Sequence, residues 1–156
     1  MVTPNGPDPS LVREALRLVP LFRELGPPEL DLIVALGHLV DYPKGMVLFR
    51  EGDTGEAVYV VIEGAVRVVK ESPGAGEEII AFFEHGGCFG EMALVDEFPR
   101  SATAIAHEDS VVLFLERDHV LDLFREDPVV ARKILWAFCR SLSLRLREAS
   151  DRIVAL

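Results

Sequence analysis

The sequence predicts a single α+β domain, in which an antiparallel β sandwich or roll lies between helical segments. Three observations support this class. Apolar residues recur at helical spacing before residue 42, short segments rich in β-branched and aromatic residues follow up to residue 116, and helical spacing returns from residue 117. A chain of 156 residues is long enough for one well-buried core and short for two, so we expect one domain over residues 1–156.

The N-terminal region, residues 1–41, predicts a loose arm followed by two helices. Residues 1–7 are rich in proline, glycine and asparagine. Asp8 can cap a helix that has Pro9 at its first position. A second helix is predicted to begin near Pro28 and to end at Gly37.

The central region, residues 42–116, predicts the β structure. Its apolar segments are short and bounded by glycines, as in antiparallel folds. Glu63 and Gly64 lie between two of these segments and predict a tight hairpin turn, and residues 72–76 predict a second turn. The predicted strand segments are 46–51, 57–64, 65–71, 77–85, 101–108 and 110–116.

The C-terminal region, residues 117–156, predicts two helices. Asp118 can cap a short helix that ends at Phe124, and Asp127 followed by Pro128 begins a long one. Apolar residues of the long helix alternate in spacings of four and three, which is the heptad pattern of a coiled coil. We expect residues 135–156 to form a parallel homodimer; a helix of another protein could fill the same groove, and the first turns can pack on the β region. The apolar positions are Leu135, Cys139, Leu142, Leu146, Ala149, Ile153 and Leu156.

Composition argues against several classes of protein. The net charge of −10 disfavours a nucleic-acid-binding surface, no apolar run approaches the roughly 20 residues of a membrane span, and the N-terminus lacks signal-peptide features. We therefore expect a cytoplasmic protein without DNA or membrane partners.

Cys88 and Cys139 lie in dissimilar segments and predict two reduced thiols. The histidines are scattered and no catalytic triad is evident, so we expect neither a metal site nor an enzyme.

The segment FGEMALVDEFPRSATA, residues 89–104, carries the strongest functional pattern. Residues 91–94 are good helix formers, and the first amides of such a turn would point outward toward an anion. Arg100 can hold a phosphate with two parallel hydrogen bonds, and Glu91 can accept hydrogen bonds from ribose hydroxyls. A nucleotide would account for both charges.

The residues alone leave a second interpretation of Arg100 open. Its guanidinium could form an ordinary ion pair with a carboxylate of the same loop, Asp96 or Glu97. Such a pair would make Arg100 a structural residue with no ligand.

The same segment resembles the phosphate-binding cassette of the cyclic nucleotide-binding domain family, which includes catabolite activators and protein kinase A regulatory subunits. Glycines at positions 45, 52, 64 and 87 precede it in the family's order, and the resemblance extends from about residue 20 to at least residue 150. The matching cassette residues are Phe89, Gly90, Glu91, Ala93, Leu94, Pro99, Arg100, Ala102 and Ala104.

The resemblance implies a jelly-roll-like β-roll of about eight strands over residues 42–116, with the cassette at 89–104. It implies a 3′,5′-cyclic nucleotide as ligand and no catalytic cofactor, with cyclic AMP favoured over cyclic GMP. Glu91 would bind the ribose 2′-hydroxyl, and Arg100 would bind the cyclic phosphate with help from Ser101 and the backbone amides of residues 90–93. The implied ligand-binding residues are Phe89, Gly90, Glu91, Met92, Ala93, Arg100, Ser101 and Ala102.

The resemblance also implies a regulatory role. We expect a stand-alone sensor without a DNA-binding module, whose C-terminal helices transmit occupancy to a dimer or to an effector protein of unknown identity. A ligand-free dimerisation scaffold of the same fold is the alternative. The last helix could cover the base, with Trp136 as a stacking candidate and Ser141 or Ser143 as hydrogen-bonding candidates; plain packing or exposure is the other interpretation of each.

Overall fold

The computed structural model describes residues 6–154, and within that range it contains four α-helices and eight strands. The helices are α1 Pro9–Leu18, α2 Pro27–Leu36, α3 Arg117–Glu126 and α4 Pro128–Val154. The strands are β1 His38–Tyr42, β2 Val47–Phe49, β3 Ala57–Glu63, β4 Val66–Ser72, β5 Gly76–Phe83, β6 Cys88–Phe89, β7 Thr103–Ala106 and β8 Ser110–Glu116. Two short 3₁₀ turns cover Pro20–Phe22 and Glu91–Leu94.

The strands form two four-stranded sheets in which every described pair is antiparallel. One sheet has the strand order β1-β8-β3-β6 and the other has the order β2-β7-β4-β5. This arrangement confirms the predicted fold class, an antiparallel β-roll with N-terminal helices and a long C-terminal helix.

Strand β3 joins the two hydrophobic clusters of the core. Val58, Val60 and Ile62 belong to the cluster that contains the helices, whereas Tyr59 and Val61 belong to the cluster between the sheets. Successive side chains of a strand point to opposite faces. Because both faces of β3 are covered, its sequence is apolar from Ala57 to Ile62 and does not alternate.

Two helix starts follow the predicted chemistry. Asp8 accepts a hydrogen bond from the Ser10 amide at 2.9 Å, and Asp127 accepts one from the Val130 amide at 3.1 Å. In each case the next residue is a proline at the first helical position, where its missing N–H costs little. Residues 1–5 of the expected arm lie outside the described residues.

The predicted hairpin at Glu63 and Gly64 is wrong. Strands β3 and β4 belong to different sheets, so this turn is a corner between the two sheets. Gly64 has a φ of 86°, and a Cβ atom there would lie 2.5 Å from the Asp109 carbonyl oxygen. A short glycine turn between two apolar runs fits a corner as well as a hairpin, because the local signal does not specify whether the strands pair.

Two other local predictions differ from the structure. Helix α3 begins at Arg117 after Glu116, so Asp118 is not a cap and lies in the first turn, where its charge favours the helix dipole. Strand β1 begins at His38, four residues before the change of period predicted at residue 42. Only Tyr42 is buried in this edge strand, and the alternation that marks a strand is therefore weak.

Candidate functional site

The cassette turns sharply where β6 ends. Gly90 has a φ of 80°, and the 3₁₀ turn Glu91–Leu94 follows it. A Cβ atom at Gly90 would lie 2.7 Å from Arg100 Nη1 and 3.1 Å from the Ala57 carbonyl oxygen. Both the backbone angle and the close approach therefore require glycine.

The expected helical turn after Gly90 is present, with one difference in its amides. The Ala93 amide donates to the Gly90 carbonyl at 3.2 Å and is therefore already engaged. No hydrogen bond of the Glu91 and Met92 amides is found within residues 6–154. These two N–H groups can therefore serve an acceptor in the cavity.

Arg100 is held by backbone and by aromatic rings. Its Nη2 donates to the Ala57 carbonyl at 2.6 Å, and its Nη1 donates to the Gly90 carbonyl at 3.1 Å. Its Cζ lies 4.4 Å from the centre of the Phe49 ring, close enough for a cation–π contact. The Arg100 amide is also bonded to the Asp53 carbonyl at 2.7 Å, so both ends of the residue are fixed.

No carboxylate of the described residues lies within 4.0 Å of the Arg100 guanidinium. Asp96 accepts from the Phe98 amide at 3.2 Å, and Glu97 lies 3.9 Å from Arg117. The ion-pair interpretation of Arg100 is therefore contradicted. Burial lowers the pKa of Arg100, and its Nε is buried without a hydrogen-bond partner in residues 6–154. A partly buried cation without a counter-ion leaves a place for an anion.

Glu91 is buried and already has a partner. Its Oε1 accepts a hydrogen bond from Arg145 Nη2 at 2.7 Å. Arg145 belongs to helix α4, 54 residues later in the chain, and its side chain is 56% exposed. The carboxylate at this end of the site is thus neutralised by a long side chain whose head reaches solvent.

A cavity of about 550 Å³ connects these groups. This volume lies within the range of about 300–1,000 Å³ of small-molecule sites. Apolar side chains of the β2-β7-β4-β5 sheet and of the cassette form much of its wall, and those from the sheet include Phe49, Val68 and Ile80. The residues of the cassette that the resemblance implies as ligand-binding all line it, namely Phe89, Gly90, Glu91, Met92, Ala93, Arg100, Ser101 and Ala102.

The candidates for covering the base are not brought to this cavity. Trp136 is 60% exposed, and Ser143 is also exposed. Ser141 lines a smaller neighbouring cavity. Among the described residues of α4, Arg145 alone lines the cavity of about 550 Å³, the ligand cavity.

Sequence reasoning missed Arg145, although a signal for it exists. Ile134 and Phe138 are buried on the face of α4 that packs on the roll, and Arg145 follows Phe138 by seven residues, about two helical turns. A basic residue that continues a buried face is a candidate partner for a buried carboxylate.

Comparison with known proteins finds one family of domains that matches this chain. The family model described as cyclic nucleotide-binding domain matches residues 39–127. The chain is 42% identical over 130 residues to the cyclic AMP receptor protein of Thermus thermophilus, covering 83% of this chain and 58% of that protein. It is 34% identical over 97 residues to a cAMP-dependent protein kinase regulatory subunit of Mycosarcoma maydis, covering 62% of this chain and 18% of that subunit.

Solved structures agree with this match. The N-terminal domain of a transcriptional regulator from Streptomyces coelicolor superposes with a TM-score of 0.79 at 33% identity, covering 89% of this chain and 94% of that chain. The chain spans less than two thirds of the length of the curated bacterial relatives that it matches. Within residues 6–154, no helix combines the length and the apolar character that crossing a membrane requires.

Proposed function

From the premise that the chain belongs to the cyclic nucleotide-binding domain family, we propose that it senses a 3′,5′-cyclic nucleotide and transmits occupancy through its C-terminal helices. The observation that carries this proposal is the presence of two opposite charges, Arg100 and Glu91, in the wall of one cavity. Arg100 has no carboxylate partner among the described residues, and Glu91 lies in the same cavity wall. A cyclic nucleotide presents an anion and a sugar hydroxyl on one compact ring system, so it can satisfy both.

The phosphate is assigned to Arg100. Two carbonyl oxygens accept from the ends of the guanidinium but do not neutralise its charge, and Nε still lacks an acceptor. An arginine has five N–H donors, so it can keep both carbonyl contacts and bind a phosphate. The free amides of Glu91 and Met92 and the hydroxyl of Ser101 are the supporting donors.

The ribose is assigned to Glu91, and this assignment provides the route of transmission. One oxygen of the carboxylate that would accept from the 2′-hydroxyl already accepts from Arg145. In this proposal the ribose displaces Arg145 from that oxygen, so ligand binding breaks a contact between the cassette and α4. A ligand shifts such an equilibrium only by its differential affinity for the two states, and this contact differs between them.

A second contact connects the cassette to the helices. Glu97 lies 3.9 Å from Arg117 at the start of α3, so a movement of the cassette loop would change this contact. The pair is exposed on the Glu97 side and therefore weak. Glu91 and Arg145 carry the stronger link.

Cyclic AMP is the favoured ligand. The names of the relatives support this choice, because the Thermus thermophilus protein is a cyclic AMP receptor and the Mycosarcoma maydis protein is a cAMP-dependent subunit. Among the described residues of α4, Arg145 alone lines the cavity. The described part of this helix therefore offers no other side chain that could distinguish adenine from guanine.

The transmitted signal is proposed to reach a second copy of the chain through residues 135–156. Leu146 and Ile153 are 69% and 71% exposed on α4, which continues beyond the packed residues as regular helix. Leu142 instead packs on the chain's own core. Leu156 lies outside the described residues. Sedimentation equilibrium should therefore show a dimer that Leu146→Lys weakens.

The function is tested by calorimetric titration with cyclic AMP, cyclic GMP and linear 5′-AMP. We expect the cyclic nucleotides to bind, cyclic AMP more tightly, and 5′-AMP to bind weakly because its phosphate lacks the ring geometry. Saturation at 100 times the dissociation constant should add about 2.7 kcal/mol of stability, visible as a rise in melting temperature. Absence of binding by all cyclic nucleotides would support the alternative, a ligand-free dimerisation scaffold.

A further inference from the structure

A second cavity lies beside the ligand cavity, between the 3₁₀ turn Pro20–Phe22, the turn after β5 and helix α4. Its volume is about 270 Å³. Val19, Leu21 and Phe138 line it and are almost fully buried, so much of its wall is apolar. The volume corresponds to roughly nine water molecules at bulk density. It suits a compact ligand of about that many heavy atoms.

Polar groups meet at one end of this second cavity. Glu91 and Arg145 line both cavities, and Ser141 lies on the α4 wall of the second. Among the described residues that line the second cavity, Arg145 is the one cation. Its described hydrogen bond runs from Nη2 to Glu91. An acceptor that enters from the second cavity therefore competes with Glu91 for this guanidinium.

We propose that the second cavity binds a small aromatic carboxylate. The ring would lie against Leu21 and Phe138, and the carboxylate would pair with Arg145. An apolar pocket with a few convergent polar groups is the usual form of a small-molecule site. A guanidinium favours a carboxylate because the two planar groups form parallel hydrogen bonds.

The second site is coupled to the first, and this coupling rests on the proposed function. Arg145 donates a hydrogen bond to Glu91 when the ligand cavity is empty. A cyclic nucleotide that supplies a ribose hydroxyl to Glu91 releases Arg145, which can then bind the carboxylate. Both ligands therefore favour the same arrangement, and each must raise the affinity for the other by the same factor. We expect at least about a fivefold effect, the lower end of measured couplings.

Benzoate is the probe, and its binding to the full chain is measured by ligand-observed NMR with and without saturating cyclic AMP. We expect benzoate to bind, neutral benzamide to bind more weakly, and cyclic AMP to tighten benzoate binding. Arg145→Gln should weaken benzoate at least tenfold. Arg147→Gln is the matched control, because Arg147 is an exposed arginine of the same helix that lines neither cavity, and it should change little. Leu142→Trp, which fills the second cavity, should abolish benzoate binding.

The outcomes separate this inference from the proposed function. Benzoate that binds Arg145→Gln and Leu142→Trp as it binds the wild type overturns the second site, and so does benzoate that displaces cyclic AMP. Failure of benzoate to bind while cyclic AMP binds overturns the inference alone. Benzoate binding that depends on Arg145 in a chain that ignores all cyclic nucleotides keeps the second site and removes the proposed function.

Discussion

The two ends of the ligand cavity are built in opposite ways. At the Arg100 end, the roll itself fixes the charged group through the carbonyls of Gly90 and Ala57 and the ring of Phe49. At the Glu91 end, the charged group is neutralised by Arg145, which comes from a different element 54 residues away. The Arg100 end has no carboxylate partner among the described residues, whereas the Glu91 end already has a cation as its partner.

This difference predicts that one end of the cavity determines the affinity for the ligand and that the other end determines how α4 responds to it. A preorganised group binds without a cost of rearrangement, so the Arg100 end should supply most of the binding free energy. A group whose partner must be exchanged supplies less affinity, but its exchange changes the contacts of α4. We therefore propose that the Arg100 end anchors the ligand through its phosphate and that the Glu91 end, which would bind the ribose, reports that the ligand is present.

The largest effect should follow from removing the anchor. Arg100→Ala should weaken cyclic AMP binding by about 2–5 kcal/mol, roughly thirty- to several-thousand-fold, because the phosphate loses its charged partner. Calorimetric titration of the variant measures the change directly.

The matched control for this change is Arg50→Ala, since Arg50 is an exposed arginine at the end of β2 that does not line the ligand cavity. It should bind cyclic AMP as the wild type does. Equal affinity of Arg100→Ala and the wild type would mean that the phosphate is held elsewhere.

The sequence predicted which residues meet at the Arg100 end of the cavity, because these residues are close in the chain. Gly90, Glu91 and Arg100 lie within one segment, and every residue of residues 89–104 that the resemblance implies as ligand-binding lines the cavity. The capped helix starts at Asp8 and Asp127 were also local patterns, and both are confirmed.

The ribose end was predicted only in part, because its partner is set by packing. The contact of Glu91 with Arg145 depends on the angle at which α4 crosses the roll, which no local pattern specifies. Trp136 was an attractive stacking candidate by residue type, but helical phase places it away from the cavity. The corner at Gly64 was misassigned for a similar reason, since pairing partners are a property of the whole sheet.

The next largest effect concerns the ribose end. Glu91→Gln should weaken cyclic AMP binding by about 1.5–3 kcal/mol, the usual contribution of a hydrogen bond to a charged group, which is about ten- to 150-fold. Calorimetry with cyclic AMP measures this loss, and 2′-deoxy cyclic AMP is its control. The deoxy ligand should bind the wild type and Glu91→Gln with similar affinity, and a large difference would show that Glu91 does not contact the 2′-hydroxyl.

Arg145→Gln should change the affinity for cyclic AMP in the opposite direction and by a smaller factor. It removes the competitor for Glu91, so cyclic AMP should bind about two- to fivefold more tightly, since a partly exposed ion pair contributes at most about 1 kcal/mol. In the double variant with Glu91→Gln this gain should vanish, because the competition no longer exists. Weaker binding by Arg145→Gln alone would instead make Arg145 a direct ligand contact.

The smallest effect concerns the first half of α4, where Val130, Ile134 and Phe138 are buried in the core. We expect this half to stay fixed when the ligand binds and the second half, which contains Arg145, to respond. Lys133 donates to Glu29 at 2.5 Å, and Glu29 also accepts from the Gly26 amide at 3.0 Å, so this pair joins α4 to the start of α2. The hydrogen bond from Lys133 and then that from Gly26 hold the pKa of Glu29 below its ordinary value. Glu29→Gln should lower the free energy of unfolding by about 0.5–1 kcal/mol at pH 7 and should leave cyclic AMP affinity unchanged.

The pH dependence of this loss follows from the direction of the Glu29 shift. Because the pKa is lower in the folded state, the stabilisation is present above the unfolded pKa of about 4.3 and is lost as the pH falls through the folded value. Urea unfolding should therefore show a gap between wild type and Glu29→Gln that narrows from pH 7 to pH 3. Glu14→Gln, an exposed carboxylate on α1, should show no such gap. An altered cyclic AMP affinity in Glu29→Gln would mean that the anchored half of α4 also responds to the ligand, and the division between a fixed half and a responding half would not hold.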